Sequence, residues 1–379
     1  MKILVGNHIN YVSEERELLL CMTEPDGYPE GFLRSRENFQ KKSSPGEGIQ
    51  SLLHRFDVVD KIIKEGRKAL KKDMELIRKY FTYYPGSNLC LADVILQFQI
   101  WDWNETADTL ESYVRSQSSQ ERNERFIGTS FENFTSDESE NISEEPITLK
   151  RINNWLEQSP LAPEDKWEIF SSFISWEEHL GPVVDLMKKA EKVLKKTQTL
   201  WQPVIDDFHQ YWEEQCRIRD VIGDISQIFH IDLRSDHQRD ILLAPSMINM
   251  NRISFSITDD TRPIPYDYYG IGIIFGNDIY LDSEGLNSEN RQLESCLAFC
   301  KLLSDKSKLD ILRSIKDHPA YGAQLSRQMN LTTATISYHM SALIQNSLVS
   351  IQRVENRIYY SVNKDEVKKI LRAIENLLL

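Results

Sequence analysis

Apolar residues recur at helical spacing along two long stretches of the chain. In the first stretch, between residues 51 and 81, they stand at Val59, Ile62, Ile63, Leu70, Met74, Ile77 and Phe81. The second stretch keeps a similar stripe from Val183 to Trp212, and Pro203 interrupts it. Both stripes predict amphipathic helices. Because proline lacks a backbone N–H and clashes with the preceding turn, we expect Pro203 to kink or split the second helix.

After Asp240 the apolar pattern changes from a helical to an alternating period. Ile253, Phe255 and Ile257 alternate with polar residues, and the segment IGIIFGNDIYL contains the two-residue Gly-Asn link typical of a hairpin. This pattern predicts an antiparallel sheet. The predicted fold class is therefore α+β, with a large helix-rich N-terminal domain that carries a small antiparallel sheet.

Polar tracts without an apolar period predict the connections between these elements. Residues 34–50 are rich in Gly, Ser and Pro and are expected to form a loop. Residues 116–145 have few branched apolar side chains to bury and are expected to form a mobile insertion. A turn-prone run at residues 283–290 predicts a boundary between one domain at 1–285 and a second at 291–379.

The C-terminal domain shows the pattern of three helices followed by two short strands. The predicted inward positions are Leu309, Ile311, Leu312 and Ile315 in the first helix, Leu325 and Met329 in the second, and Ile336, Met340 and Leu343 in the third. Thr332 is expected to cap the third helix. Residues 349–351 and 358–360 predict two strands around a basic turn. Together these elements predict a winged helix-turn-helix.

The predicted outward face of the third helix carries short or planar hydrogen-bonding side chains. They belong to Thr333, Thr335, Ser337, Tyr338, His339 and Ser341. Such a surface suits the major groove of DNA, where side chains reach base edges without burying unpaired charge. Arg353 and Arg357 lie at or near the tip of the predicted wing, where they are available to the phosphate backbone.

The distribution of charge favours contact between the C-terminal domain and a polyanion. The whole chain has a formal charge of -13, but residues 291–379 contain 13 Lys and Arg against 8 Asp and Glu, which gives +5 there and -18 for residues 1–290. A basic module on an acidic body is expected when one small part of a protein meets phosphate.

Composition favours a soluble cytoplasmic protein. Hydrophobic residues make up 40% of the chain and the mean hydropathy is -0.45. No uninterrupted apolar stretch approaches the roughly 20 residues that span a bilayer. The five cysteines are scattered and odd in number, unlike a disulfide framework. We therefore expect a reducing compartment and no membrane contact.

The stretch from Glu294 to Leu379 resembles the ArsR family of winged-helix repressors. LSDKSKLDIL is similar to the opening helix motif of the family, TISYHMSAL to its recognition helix, and Tyr359 and Tyr360 to the aromatic pair that ends its wing. The resemblance implies DNA contacts from Thr335, Ser337, Tyr338, His339, Arg353 and Arg357, and a homodimer formed by the first and last helices. The metal sites of the family do not carry over, since the second DNA-binding helix lacks a cysteine pair and the last helix lacks histidine. We expect neither metal nor cofactor.

Three further features each allow a functional and a purely structural interpretation. Cys296 and Cys300 fit a redox pair or small residues in a dimer interface. His209 and Glu213 fit a metal site, although no dense ligand motif supports one. The seven tryptophans, all within residues 1–290, fit a packed core or an aromatic pocket for an effector.

The leading hypothesis is a cytoplasmic, homodimeric transcriptional repressor that binds double-stranded DNA. Residues 1–285 would form a sensor and dimerisation domain for an unidentified effector or protein partner. One alternative is an enzyme with an accessory winged helix, although residues 1–290 contain no nucleophile elbow, phosphate loop or metal cluster. The other is a protein-interaction adaptor. The effector, the operator and the direction of regulation stay open at this stage.

Overall fold

The computed structural model divides the chain into two compact units. It describes residues 2–29, 31–40, 47–85, 87, 89–97, 103–131, 147–159, 161–223, 239–250, 253–256, 266–275, 289–329, 331, 333–346, 348–354 and 357–378. Unit 1 comprises Met1–Thr129, Leu161–Ile218 and Gln238–Asp282. Unit 2 comprises Ser130–Pro160, Arg219–His237 and Ser283–Leu379.

Helices dominate the chain as far as residue 218. They are α1 (Tyr11–Cys21), α2 (Phe32–Gln40), α3 (Glu47–Ala69), α4 (Met74–Phe81), α5 (Leu91–Leu96), α6 (Ala107–Ser116), α7 (Ser119–Phe131), α8 (Leu149–Gln158), α9 (Pro163–Ile174), α10 (Trp176–Lys196) and α11 (Gln198–Ile218). All except α8, which is grouped with unit 2, lie wholly or mainly in unit 1. Helix α1 packs along α10, and Leu18, Leu19, Met187 and Leu194 of these two helices are almost completely buried.

The two apolar stripes form helices, but their interruptions differ from those expected. The first stripe forms α3 and α4, which a short 3-10 turn at Lys71–Asp73 separates. The second stripe divides at Thr197, whereas Pro203 lies inside α11. The Thr197 hydroxyl donates to the carbonyl of Val193 at 2.9 Å, and the Trp201 indole donates to the carbonyl of Leu194 at 2.9 Å. These side chains satisfy carbonyls at the end of α10 and stabilise the break there.

Two polar tracts expected to lack regular structure contribute helices. The predicted loop at residues 34–50 is wrong at both ends, because α2 extends to Gln40 and α3 begins at Glu47, while residues 41–46 lie outside the described residues. Helix α7 lies within the tract predicted to be an insertion, while residues 132–145 of that tract lie outside the described residues. Phe126 of α7 is fully buried, so this helix anchors itself through a large apolar side chain in a polar background.

The sheet of unit 1 is mixed, which corrects the expected antiparallel sheet. Its strands are β1 (Ile3–Val5), β2 (Asp240–Ser246), β3 (Ile253–Ser256) and β4 (Tyr266–Gly272), in the order β1-β2-β4-β3. The pairs β1–β2 and β2–β4 are parallel, and only β3–β4 is antiparallel. Strands β2 and β4 are buried along most of their length, as is typical of parallel strands covered on both faces. The Gly-Asn link expected at Gly276 and Asn277 lies outside the described residues.

Unit 2 ends in alternating helices and short strands. They are α12 (Glu289–Leu303), α13 (Lys306–Ser314), β5 (Ala320–Tyr321), α14 (Gly322–Met329), α15 (Thr333–Gln345), β6 (Val349–Val354), β7 (Arg357–Val362) and α16 (Lys364–Leu378). The strands form an antiparallel sheet in the order β5-β7-β6. Within the part of the chain that the structure describes, no helix has both the length and the apolar character needed to cross a membrane.

Candidate nucleic-acid interface

One apolar cluster fixes α15 against the two helices that precede it. Ile336, Met340 and Leu343 of α15 are at most 1% exposed and share this cluster with Ile311 of α13 and Leu325 of α14. The inward positions predicted for α15 are therefore confirmed. The prediction is wrong for Leu309, which is 38% exposed. Its position outside the cluster shows that the buried stripe of α13 is narrower than the sequence pattern.

The hairpin of β6 and β7 is longer than the two strands predicted for the wing. In its ladder Arg353 pairs with Ile358, and Val354 pairs with Arg357. The two arginines therefore occupy neighbouring rungs next to the turn. Neighbouring rungs belong to opposite faces of a hairpin. We therefore expect positions 353 and 357 to lie on opposite faces of the wing. The side chains of both arginines lie outside the described part of the structure.

A third strand, which the sequence pattern did not reveal, anchors the base of the hairpin. The two residues of β5 pair with Tyr359 and Tyr360 of β7. The rings of Tyr321 and Tyr359 meet edge to face with their centroids 5.6 Å apart, and Tyr360 packs against the apolar cluster. A strand of two residues is too short to give an alternating pattern, so only the aromatic Tyr321 before α14 hinted at this contact.

The DNA contacts predicted on α15 are only partly described by the structure. Thr333, Thr335, Ser337 and Tyr338 all belong to α15. Thr335 is half-buried, whereas the side chains of the other three lie outside the described part. The backbone therefore brings the four positions together on one helix, and Thr332, expected as its cap, also lies outside the described residues.

Asp305 links the start of α13 to the inner face of α15. Its carboxylate caps α13 by accepting the backbone N–H of Ser307 at 2.9 Å and that of Lys308 at 3.4 Å. The Lys308 ammonium also donates to this carboxylate, and this hydrogen bond is the main cause that lowers the pKa of Asp305. Nδ1 of His339 lies 3.8 Å from Oδ2 of the same residue. A cap, a lysine and a histidine thus meet where α13 and α15 pack.

His339 is buried, which corrects its predicted place on the outward face. It is 9% exposed, three residues after Ile336 and four before Leu343, so it shares their stripe on α15. Burial, together with the nearby Lys308, lowers the pKa of His339, and Asp305 opposes this shift. Its spacing of three residues from Ile336 and four from Leu343 could have assigned His339 to the buried face of α15 from sequence. Its polar side chain suggested the exposed face instead.

Replacing His339 is expected to reduce stability and to change its dependence on pH. H339A should destabilise the protein by about 1–3 kcal/mol, the usual range for truncating a buried side chain. Because the folded state disfavours protonation of His339, its contribution is present above the ordinary histidine pKa of about 6.5 and is lost as the pH falls below it. Thermal melting of wild type and H339Q from pH 7.5 to 5.5 measures this loss, which H339Q should reduce.

His318 provides the matched control for this titration. It lies exposed between α13 and β5, so H318Q should melt as the wild type does at each pH. Equal pH profiles for wild type, H339Q and H318Q would show that the burial of His339 has no energetic effect on protonation.

Exposed leucines follow the surface of α12 and α16, two helices that pack on each other. Cys296 and Phe299 of α12 and Ile370 and Ala373 of α16 are at most 7% exposed and join the apolar cluster. On the same helices four leucines are exposed by 48% to 77%: Leu297, Leu371, Leu377 and Leu378. These helices therefore have apolar side chains on both the inner and the outer surface.

The other two candidate pairs from the sequence each lie within one turn of a single helix. Cys296 is buried, and Cys300, four residues later, is exposed. Nε2 of His209 lies 3.8 Å from Oε1 of Glu213 across one turn of α11. Among the described residues, no three His, Cys, Asp or Glu side chains are grouped so as to hold a metal ion.

Several regulators of known function are similar to about a quarter of this chain. Nodulation protein NolR of Rhizobium meliloti is 33% identical over 90 residues, which are 24% of this chain and 73% of NolR. The arsenical resistance operon repressor of Staphylococcus aureus is 32% identical over 74 residues, 20% of this chain and 71% of the repressor. The transcriptional activator HlyU of Vibrio cholerae is 23% identical over 100 residues, 26% and 93% of the respective chains. No protein-family model matches the chain.

Proposed function

Because about a quarter of this chain belongs to the ArsR family of winged-helix transcriptional regulators, we propose that residues 291–379 are that part and bind double-stranded DNA. The observation that carries this proposal is the packing of α15 on α13 and α14, followed at once by the β6–β7 hairpin. This arrangement places a hairpin beside the helix that follows the turn, and in helix-turn-helix proteins that helix lies in the major groove.

In this proposal, α15 enters the major groove and the hairpin follows the backbone. Thr333, Thr335, Ser337 and Tyr338 contact base edges and nearby phosphates, whereas Arg353 and Arg357 contact phosphates. His339 is left out of the contacting set because it is buried against α13, where it helps to fix the position of α15. The charge of +5 over residues 291–379 supports the same surface.

A homodimer formed through α12 and α16 would place two copies of α15 on one face of DNA. Recognition helices of such dimers enter successive major grooves roughly 34 Å apart. The four exposed leucines of α12 and α16 support this interface, because these two packed helices carry large apolar side chains that association would remove from water.

Charged substitutions on this surface, one on each of the two helices, should separate the dimer. L297E combined with L371E is expected to give a monomer, because two glutamates per protomer would be buried without partners. Operator affinity should fall about 100-fold, since each monomer then contacts only a half-site. Sedimentation equilibrium measures the mass, and fluorescence anisotropy measures the affinity.

The control for this test is L76E on α4 of unit 1. Leu76 is 42% exposed, so the substitution adds the same charge at a comparable surface position outside the proposed interface. L76E should remain dimeric with unchanged affinity. If the L297E/L371E protein stays dimeric and binds DNA normally, the dimer interface does not lie on α12 and α16.

Residues 1–285 are proposed to sense an effector or protein partner and to change operator affinity. We propose that the protein acts in the cytoplasm as a repressor. The support for this direction is that one relative, the arsenical resistance operon protein, is a repressor, although the relative HlyU is an activator. Control by an effector requires that it bind the two dimer geometries with different affinities.

Fluorescence anisotropy over a salt series tests the proposed DNA binding. The full-length protein is titrated on labelled DNA from upstream of its own gene and on scrambled DNA of equal length. Specific binding that weakens steeply as salt rises is the expected result, because phosphate contacts release counterions. Equal affinity for both DNAs, together with no enrichment in a genomic binding selection, would contradict sequence-specific regulation.

A further inference from the structure

A charged side chain is buried without a hydrogen-bond partner in unit 1. Arg122 of α7 is 3% exposed, and within the described part of the chain neither of its terminal nitrogens, Nη1 and Nη2, has a hydrogen-bond partner. Burial lowers the pKa of Arg122 to about 10, and Glu177 opposes this shift. The guanidinium is therefore still a cation at neutral pH, and a cation removed from water requires an acceptor or an anion.

Aromatic rings surround this cation but only partly offset the cost of burying it. Cζ of Arg122 lies 3.8 Å from the ring centroid of Trp176 and 5.7 Å from that of Phe173. The rings of Phe126 and Phe173 are 4.4 Å apart between centroids. A desolvated cation–π contact contributes less than the burial of an unpaired ion costs. The balance favours an additional, anionic partner.

The planarity of the guanidinium restricts the shape of that partner. Its N–H bonds lie in the plane of the group. The two terminal nitrogens then form a fork that matches the two oxygens of a carboxylate. Trp176 is half-buried, so the aromatic environment of Arg122 reaches the protein surface on one side.

Gln97 adds a second unused polar atom beside Arg122. Nε2 of Gln97 donates to the backbone carbonyl of Arg122 at 2.7 Å, which fixes the orientation of the amide because a carbonyl only accepts. Oε1 of Gln97 is buried and, among the described residues, lacks a hydrogen-bond donor. The residue itself is 1% exposed. Two buried donors on Arg122 and one buried acceptor on Gln97, whose amide contacts the Arg122 backbone, therefore lie unused in the same region of unit 1.

We propose that Arg122 is the anchor of a small-molecule site in unit 1 and that its ligand is an organic carboxylate with an aromatic or other apolar body. The carboxylate pairs with Nη1 and Nη2 of Arg122, and the apolar body lies among Phe126, Phe173 and Trp176. A ligand hydroxyl or N–H is accepted by Oε1 of Gln97. A role of this ligand as effector rests on the proposed regulatory function, whereas its binding does not.

Calorimetric titration of the full-length protein without DNA tests this site. The probes are benzoate, phenylacetate and 3-phenylpropionate, the corresponding neutral amides, and inorganic phosphate. At least one aromatic carboxylate should bind saturably, while its amide and phosphate should bind at least ten-fold more weakly. R122K retains the charge but not the fork, so it should lose at least ten-fold in affinity. Since no DNA is present, failure here is distinguishable from failure to bind an operator.

R125K is the matched control on the same helix. Arg125 is half-buried and stacks on the ring of Tyr113 at 5.0 Å, so the same substitution there should leave affinity unchanged. Without ligand, R122M should melt at or above the temperature of the wild type, because it removes an unpaired buried cation. The proposal is overturned if no carboxylate binds, if R122K binds as tightly as wild type, or if R122M melts clearly below it.

Discussion

Alanine at both Ser337 and Tyr338 should weaken operator binding about 100-fold, a decrease of roughly 2.7 kcal/mol in binding free energy. Removing one side chain that reads a base edge in the major groove typically costs about 1–3 kcal/mol, so removing two neighbouring ones reaches this size. The buried positions Ile336, His339 and Met340 define the inner side of α15 and leave positions 337 and 338 on the other side. Anisotropy on specific and scrambled DNA measures the change, and affinity for scrambled DNA should change little.

The same dipeptide on α6 of unit 1 supplies the control. S112A/Y113A removes a serine and a tyrosine from another helix, so it should leave operator affinity unchanged. Both double variants should melt close to the wild type. Specific binding that persists at full strength in S337A/Y338A would exclude this face of α15 from recognition and leave the hairpin as the candidate reader.

The C-terminal elements could be predicted from sequence because their packing is local. Ile336, Met340 and Leu343 are three or four residues apart, and the helix that they define packs on the two preceding helices. His339 was misplaced for a physical reason. Helical spacing assigns it to the inner face, but its role there depends on Asp305, more than 30 residues earlier, whose proximity only the fold reveals.

The sheet of unit 1 depends on pairing between distant parts of the chain. Ile3 pairs with Ile241 in the parallel pair of β1 and β2, and all the helices up to α11 lie between these strands. An apolar run predicts a strand but does not identify its partner or direction. The run ILLA in β2 lacks alternation, and this was the available sign of a strand buried on both faces.

Buried charges are the features of unit 1 that the sequence concealed most completely. Arg122 lies in a tract whose composition predicted a mobile insertion, yet it is stacked on Trp176, 54 residues away along the chain. Arg16 and Asp93 are likewise charged residues that a sequence pattern assigns to the surface, since such residues are rarely buried unless paired. Their pairing across 77 residues becomes visible only in the folded chain.

Alanine at Asp93 should lower the free energy of unfolding of unit 1 by about 3–5 kcal/mol, because it breaks a buried ion pair and leaves one charge uncompensated. Asp93 is 5% exposed. Its carboxylate accepts Nε of Arg16 at 2.7 Å and Nη2 at 2.9 Å, and it also accepts the backbone N–H of Cys90 at 3.1 Å at the start of α5. Urea denaturation followed by tryptophan fluorescence measures the decrease.

The surface pair of Asp73 and Lys189 separates the effect of burial from that of charge pairing. Their side chains are 2.6 Å apart, but Lys189 is 45% exposed, so D73A should cost no more than about 1 kcal/mol. Replacing both buried partners, in R16M/D93L, should recover much of the stability because no buried charge is then left unpaired. Equal destabilisation by D93A and D73A would show that solvent reaches the buried pair. If R16M/D93L is as unstable as D93A, the hydrogen bond from Cys90 to Asp93 contributes most of the stability.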